Sequence, residues 1–268
     1  MEITIIIIII AISIYLQNGP VANIKYKIPK KTSTIHIFWT GGFDSTFRIC
    51  QALIDEKKTV QPIYVTTQCV DGYFFLGNKI NRNNIEFEKK AMRKIRQKLA
   101  QKYKYTKKTF LKTRFVNKII EDKEYQQAMK NLFFQNFGIL APILNQHFGY
   151  FSRPYNQYTS LAQFSKNYDY PIEVAVEKCN TGLDLHTRGY RIGIGHESKL
   201  IKDKNNKPND LRIFDKFRFP VVHLTKENML SIAKKNKYDD VLKLTWSCWF
   251  PKNGKPCGKC DMCVHRVI

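Results

Sequence analysis

Ile35-His36-Ile37-Phe38-Trp39-Thr40-Gly41-Gly42-Phe43-Asp44-Ser45-Thr46 sets the architecture expected of the whole chain. Its first five residues predict a short buried β-strand, because Ile, Phe and Trp favour a pleated backbone and neither Gly nor Pro interrupts them. Gly41 and Gly42 predict a tight turn. Asp44 or Ser45 then offers a side-chain cap for a helix running through Phe47, Ile49, Leu53 and Ile54. A strand, a Gly-Gly turn and a hydroxyl-rich helix start together make an anion site. Free backbone N–H groups and the positive end of the helix dipole converge there, and no side chain blocks the approach. Phosphate is the expected guest.

Downstream, the apolar spacing alternates between strand and helix. Val60 to Thr67 reads as a second strand, with Cys69, Asp71 and Gly72 at its end. A helix is predicted from Asn84 to Tyr103, with Ile85, Ala91, Met92, Ile95 and Leu99 on one face. Its other face, Lys89, Lys90, Arg93, Lys94, Arg96 and Lys98, reads as a solvated one. Residues 109–120 hold a third strand, and a helix from Gln157 to Tyr168 leads into a fourth, Ile172 to Val176, followed by Cys179 and Asp184. Phe214, Phe217, Phe219 and Val221-Val222 form a last apolar segment. Thr225 caps a helix containing Met229, Leu230, Ile232 and Ala233, with Glu227 well placed in its first turn. This alternation predicts an α/β fold with a doubly wound, mainly parallel, Rossmann-like sheet. Ligands of such sheets bind at the C-terminal strand ends, where Cys69, Asp71, Cys179 and Asp184 would stand.

Other stretches are less decisive. Between residues 121 and 156, Phe133, Phe134, Phe137, Phe148, Tyr150 and Phe151 are read as core rather than as a substrate-covering insertion. Gly193-Ile194-Gly195-His196 is a weak phosphate-turn signal. Ile3 to Leu16 is an apolar run that would span about 21 Å as a helix, against roughly 30 Å of bilayer hydrocarbon. Its basic neighbours Lys25, Lys27, Lys30 and Lys31 follow it, whereas a secretion signal carries them before. A strand or tail is expected there in preference to a membrane anchor, with residues 17–33 as linker.

The net charge is +23, from 45 Lys and Arg against 22 Asp and Glu. Such a field draws nucleic acid, anionic membrane or nucleotide phosphate. A codon bias toward Lys, Ile, Asn, Tyr and Phe accounts for part of it, so the charge alone argues only weakly for tRNA or another nucleic acid. Seven cysteines, an odd number, fit a reducing, cytoplasmic compartment. Cys50, Cys69 and Cys179 are scattered. The other four form Cys248-x8-Cys257-x2-Cys260-x2-Cys263, a spacing that suits one tetrahedral Zn²⁺ with a structural role. An iron–sulfur cluster also accepts four thiolates.

The turn matches neither G-x-x-x-x-G-K-[ST] nor G-x-G-x-x-G. It resembles the S-G-G-x-D-S/T signature of the PP-loop ATP pyrophosphatases, with Thr40 in the place of the usual Ser. The cysteine set, led by Thr245-Trp246-Ser247-Cys248, narrows the resemblance to the 7-cyano-7-deazaguanine synthases, which join a PP-loop to a C-terminal four-cysteine zinc motif. The similarity runs over residues 34–266. It departs from the family after the fourth strand, where Val176-Glu177-Lys178-Cys179-Asn180 replaces the usual substrate-recognition segment, and in the basic helix, the aromatic insertion and the apolar start.

The resemblance implies a fold of the adenine nucleotide alpha hydrolase type. It divides the chain into an apolar segment and linker (1–33), a PP-loop domain (34–245) and a zinc knuckle packed on it (246–268). It implies that Trp39, Thr40, Gly41, Gly42, Phe43, Asp44, Ser45 and Thr46 bind ATP, with Asp44 and Ser45 as the catalytic pair and Asp44 holding Mg²⁺ or shaping the loop. Zn²⁺ would sit on Cys248, Cys257, Cys260 and Cys263. The implied reaction adenylates the carboxylate of 7-carboxy-7-deazaguanine for ammonia attack and nitrile formation, releasing AMP and pyrophosphate. By their position after the second strand, Tyr73 or Phe74 would stack on the purine-like acid, and a homodimer is a further expectation. Two alternatives stay open: a tRNA sulfurtransferase using Cys69 or Cys179, and a zinc-knuckle nucleic-acid-binding protein with an inactive loop.

Overall fold

The computed structural model describes residues 34–66, 73–75, 78–80, 83–117, 120–137, 157–178, 191–192, 199–200 and 209–268. The apolar run and linker, Cys69, Asp71, Gly72, Cys179, Asp184 and Gly193 to His196 lie outside the described residues. So do the aromatic stretch beyond residue 137 and the side chains of Tyr73, Phe74, Phe133, Phe134 and Phe137. Among the described residues no helix is long and apolar enough to cross a membrane.

Five strands form one parallel sheet: β1 (Ile35–Phe38), β2 (Val60–Val65), β5 (Arg114–Val116), β6 (Ile172–Glu173) and β9 (Phe217–Arg218), in the order β5-β2-β1-β6-β9. The chain builds outward from β1 through β2 to β5, then returns to the other side of β1 for β6 and β9. The order therefore reverses between β1 and β6, and that crevice is where open α/β sheets take ligands. The expected α/β class and mainly parallel sheet are what the protein has. Two small antiparallel pairs, β3 (Tyr73–Phe75) with β4 (Asn78–Ile80) and β7 (Arg191–Ile192) with β8 (Lys199–Leu200), were not expected from the sequence.

Alternation along β1 divides the core. Ile35, Ile37 and Trp39 point to one face, with α1 (Phe43–Cys50), α2 (Ile85–Lys102), α6 (Lys226–Lys235) and α7 (Asp239–Leu242). Phe38 points to the other, with α4 (Lys123–Phe137), α5 (Gln157–Lys166) and the 3-10 turn Asn209–Phe214. Burial on both faces is what a parallel sheet requires, and it explains why β1 and β2 read as nearly continuous apolar runs. The short helices α3 (Thr106–Thr109) and α8 (Asp261–Val264) complete the α-helices among the described residues.

Two local readings are corrected. The first helix starts at Phe43, with Gly42 as its N-cap in extended conformation and no side-chain cap bond, so neither Asp44 nor Ser45 caps it. The third strand, expected within residues 109–120, is Arg114–Val116, and Phe110 makes an isolated parallel bridge to Val60. Arg96 is not part of a solvated face: its guanidinium lies 3.9 Å from the Phe110 ring centroid and donates to the carbonyls of Phe110 and Leu111 at 2.7 Å. By contrast Thr225 caps α6 as expected, in a reciprocal capping box with Asn228.

One buried ion network fixes α1 on the sheet. Arg48 is fully buried and donates to Glu173 on β6 through Nε and Nη2, at 2.8 and 3.0 Å, and to Glu56 through Nη1 at 2.5 Å. The neighbouring acids hold the guanidinium charged despite its burial.

Candidate functional site

The turn after β1 lies at the reversal of the strand order. Trp39 N–H donates to Ile63 O at 2.8 Å, the last bond to β2, and the chain then leaves the sheet. Gly41 follows with φ +76°, a left-handed conformation that costs L side chains energy. A Cβ at Gly41 would also stand 3.0 Å from Met92 Cγ and 3.1 Å from Glu88 O, on the first turns of α2. This glycine is required twice over. The first helical bond runs from Thr46 N–H to Gly42 O at 3.1 Å, so the N–H groups of Phe43, Asp44 and Ser45 precede the ladder and face the crevice end of α1.

The expected nucleotide residues separate into two layers. Thr40, Gly42, Asp44 and Ser45 are partly exposed. Trp39, Phe43 and Thr46 are buried beneath them, and the Trp39 indole donates to Thr46 Oγ1 at 3.0 Å. Trp39 and Phe43 thus support the turn from the core, and the Thr46 hydroxyl is held by the indole. Ser45 Oγ lies 3.5 Å from Gly42 O.

Asp44 carries the electrostatic signal of the turn. Its Oδ1 is shielded from solvent and has no hydrogen-bond partner among the described residues. Burial, reinforced by Glu177 and opposed by Lys226, pushes its carboxyl up to about 7. An unpartnered buried carboxylate oxygen at a turn of free N–H groups is a cation-seeking group, which suits Mg²⁺ brought by a polyphosphate.

The sequence does not mark Glu177 or Lys226 as site residues. Lys226 Nζ donates to Glu177 Oε1 at 2.6 Å, and both lie within the field of Asp44. The signal that could have found Lys226 is its place: a cation at the first position of a helix, where the dipole favours an anion.

Further support for the turn comes from α2. Tyr64 at the end of β2 donates to Glu88 Oε2, and Asn84 Nδ2 donates to Glu88 Oε1, both at 2.7 Å. These bonds hold the start of α2 against Gly41. Phe87 on the same helical turn stacks on Trp246, with ring centroids 4.7 Å apart and planes at 21°. Trp246 N–H in turn donates to Gly41 O at 3.0 Å.

Just beyond Trp246, the four expected cysteines come together. The sulfurs of Cys248, Cys257, Cys260 and Cys263 all lie within 4.8 Å of one another. Zn–S bonds of about 2.3 Å in a tetrahedron separate sulfurs by about 3.8 Å, so the set fits one Zn²⁺. Cys257–Cys263 and Cys260–Cys263 are already at 3.9 and 3.6 Å. The N–H groups of Lys259 and Cys260 point at Cys257 Sγ and hold that thiol down at about 6, while burial pushes Cys248 up to about 12. Four protein sulfurs leave no open coordination position, so such a metal is structural. After the cluster the chain folds back, and Val267 and Ile268 pack on the core.

Comparison with known proteins centres on this C-terminal region. Residues 208–267 match the family described as queuosine biosynthesis protein QueC. Proteins named 7-cyano-7-deazaguanine synthase are similar over short stretches. The one from Leptospira biflexa serovar Patoc (strain Patoc 1 / Ames) is 42% identical over 48 residues, 18% of each chain. That from Leptospira interrogans serovar Lai (strain 56601) is 43% identical over 47 residues, 18% of this chain and 19% of the relative. That from Picrophilus torridus is 40% identical over 52 residues, 19% of this chain and 20% of the relative. The match thus spans about a fifth of the length of these relatives. By residues 208–267, which include α6, Trp246 and the four-cysteine cluster, this chain is similar to the queuosine biosynthesis protein QueC family.

Proposed function

We propose that the protein is an ATP-dependent enzyme of queuosine-type deazapurine synthesis, which binds ATP on residues 40–46 and cleaves it to AMP and pyrophosphate. The observation that carries the reading is the join between the two regions. The family-like segment supplies Trp246, whose N–H holds the carbonyl of Gly41 in the anion-binding turn.

Thr40, Gly41, Gly42 and Ser45 and the first N–H groups of α1 hold the departing pyrophosphate. Fixed donors aimed at developing negative charge are a large term in such reactions. Asp44 would hold the Mg²⁺ of the nucleotide through its unpartnered oxygen. The carboxylate of 7-carboxy-7-deazaguanine attacks the α-phosphorus, so that pyrophosphate leaves and AMP becomes the leaving group on the acyl carbon. Ammonia displaces AMP to give an amide, and a second activation by ATP dehydrates that amide to the nitrile. Cys248, Cys257, Cys260 and Cys263 would hold a structural Zn²⁺ that keeps the lead-in segment against the turn.

A sulfurtransferase reading would need Cys69 or Cys179, both outside the described residues, and Cys50 is fully buried with its thiol pKa pushed up by that burial. The test is incubation with ATP, Mg²⁺, ammonia and 7-carboxy-7-deazaguanine, followed by mass spectrometry. The nitrile is expected, and it should persist when Cys69 and Cys179 are both replaced by Ser. Absence of the amide and the nitrile under conditions where AMP is formed would contradict the substrate assignment.

A further inference from the structure

A polyphosphate brings several negative charges, yet residues 40–46 contain no Lys, Arg or His. The nearest cation in sequence, Arg48, is fully buried, and its donors are taken by Glu173, Gln51 and Glu56. The helix dipole and backbone N–H groups supply only part of a unit charge. Beside the Mg²⁺ that a nucleotide brings, a protein cation for the phosphates would come from another segment.

The geometry points to Lys226, carried to the turn by the start of α6, as the side chain that binds the polyphosphate of a nucleotide on residues 40–45, with Glu177 as its positioning residue. This inference rests on the nucleotide reading of that turn.

Four observations support it. Lys226 is the cation whose field acts on Asp44 among the described residues. Its place is not explained by helix formation, because a positive charge at the first helical position opposes the dipole, whereas Thr225 and Glu227 on either side obey it. A residue that breaks a local rule between two that follow it marks a functional demand. Lys226 is also pre-positioned: its side chain is 17% exposed and bonds Glu177 at 2.6 Å. That contact is fixed by the backbone, since Lys178 N–H donates to Leu224 O at 2.9 Å and so joins the segment after β6 to the residue before the α6 cap. Finally, Asp44 Oδ1 is buried with no hydrogen-bond partner among the described residues, which leaves it free to meet a ligand. Burial opposes the charge on Lys226, and Glu177 with Asp44 outweighs it. With a Mg²⁺-polyphosphate bound, Asp44 would hold the divalent ion and the Lys226 ammonium group would donate to the phosphate oxygens.

The test is calorimetric titration of the full, zinc-loaded chain with ATP and Mg²⁺, with zinc content and unfolding midpoint as controls of folding. Lys226→Met is expected to weaken ATP binding by about tenfold or more, the scale of one charge-assisted hydrogen bond. Lys226→Arg should stay within about threefold of the wild type, because the charge remains. Glu177→Gln should weaken ATP binding several-fold in the wild-type background and add nothing in the Lys226→Met background, as expected of a residue that acts through another. Lys226→Gln gives the same comparison if Lys226→Met does not fold. If wild type binds ATP and the Met or Gln variant binds it within about twofold, the inference is overturned while the nucleotide reading stands. A loss in Lys226→Arg as large as that in Lys226→Met overturns it in the same way. If the wild type binds no ATP, the nucleotide reading fails and takes this inference with it.

Discussion

The backbone N–H of Trp246 donates to the carbonyl oxygen of Gly41 at 3.0 Å, so the segment leading into the cysteine cluster is bonded directly to the Gly41-Gly42 turn. Phe87 adds a stacked ring on the same tryptophan, which closes a triangle of turn, α2 and cysteine segment. The cluster begins two residues after Trp246, and Trp246 Nε1 donates to Cys248 O at 2.8 Å. A change at the sulfurs therefore has a short path to the turn.

Removing the metal should be felt at the turn. Cys263→Ser, or a strong chelator on the wild type, is expected to lower the unfolding midpoint by about 5 °C, or about 2 kcal/mol for a chain of this size. The same treatment should weaken ATP binding, although none of the four cysteines touches the turn. Metal content by mass spectrometry should be one Zn²⁺ per chain before treatment. Unchanged ATP affinity in the metal-free protein would contradict the coupling.

Gly41→Ala combines a left-handed backbone with a collision against Met92 and Glu88. The conformational cost alone is about 1–2 kcal/mol, and the contact adds to it. Gly42→Ala should be milder, since Gly42 has an ordinary φ of −75° and its added Cβ would lie 3.4 Å from Thr40 Oγ1. Urea unfolding of the two variants checks the order. Equal losses would mean that the turn is looser than described.

Asp44 makes stability depend on pH in a definite direction. Its carboxyl rises from 3.8 to about 7 in the fold, chiefly through burial. Between those values the folded state holds a proton that the unfolded chain has released, so stability falls as pH rises and levels off above about 7. Asp44→Asn removes this loss. Its advantage should be near zero at pH 3.8 and grow to a plateau above about pH 7, with an upper bound on the order of 4 kcal/mol. Urea midpoints of both proteins across this range check it, and a constant difference would rule the assignment out. The same variant should lose ATP-dependent activity.

Arg48→Met leaves Glu173 and Glu56 facing a buried apolar side chain. Breaking a buried ion network in this way costs about 3–5 kcal/mol. Arg48 Nε and Nη2 tie α1 to β6, so the loss should also reduce ATP affinity by loosening the start of α1. A loss under about 1 kcal/mol would show that water reaches the acids.

The legible parts were those written in local spacing. β1 and its Gly-Gly turn, the apolar stripe of α2, the Thr225 cap and the four cysteines each carry their signal within a few residues. What was not legible depends on contacts across the chain. Lys226 and Glu177 meet only after the segment following β6 pairs with Leu224. Arg96 reads as a surface cation, and Arg48 draws no notice, because a sequence does not show the carbonyls and acids that will surround them. The start of α1 was misplaced because the extended backbone of Gly42 takes the part assigned to an Asp or Ser side chain. β9 is only two residues long, and its strand character comes from pairing with β6.

If the turn from Thr40 to Thr46 is a nucleotide loop of the proposed kind, ATP breaks there between its α- and β-phosphorus atoms. Nucleotide analysis reads this bond cleavage directly, after the zinc-loaded protein is incubated with ATP, Mg²⁺, ammonia and 7-carboxy-7-deazaguanine. Ser45→Ala and Asp44→Ala are run alongside. AMP and pyrophosphate are expected in equal amounts from the wild type, dependent on the acid, with a large loss in both variants. ADP and phosphate as products, or no cleavage of ATP by folded wild-type protein, would refute the proposed chemistry.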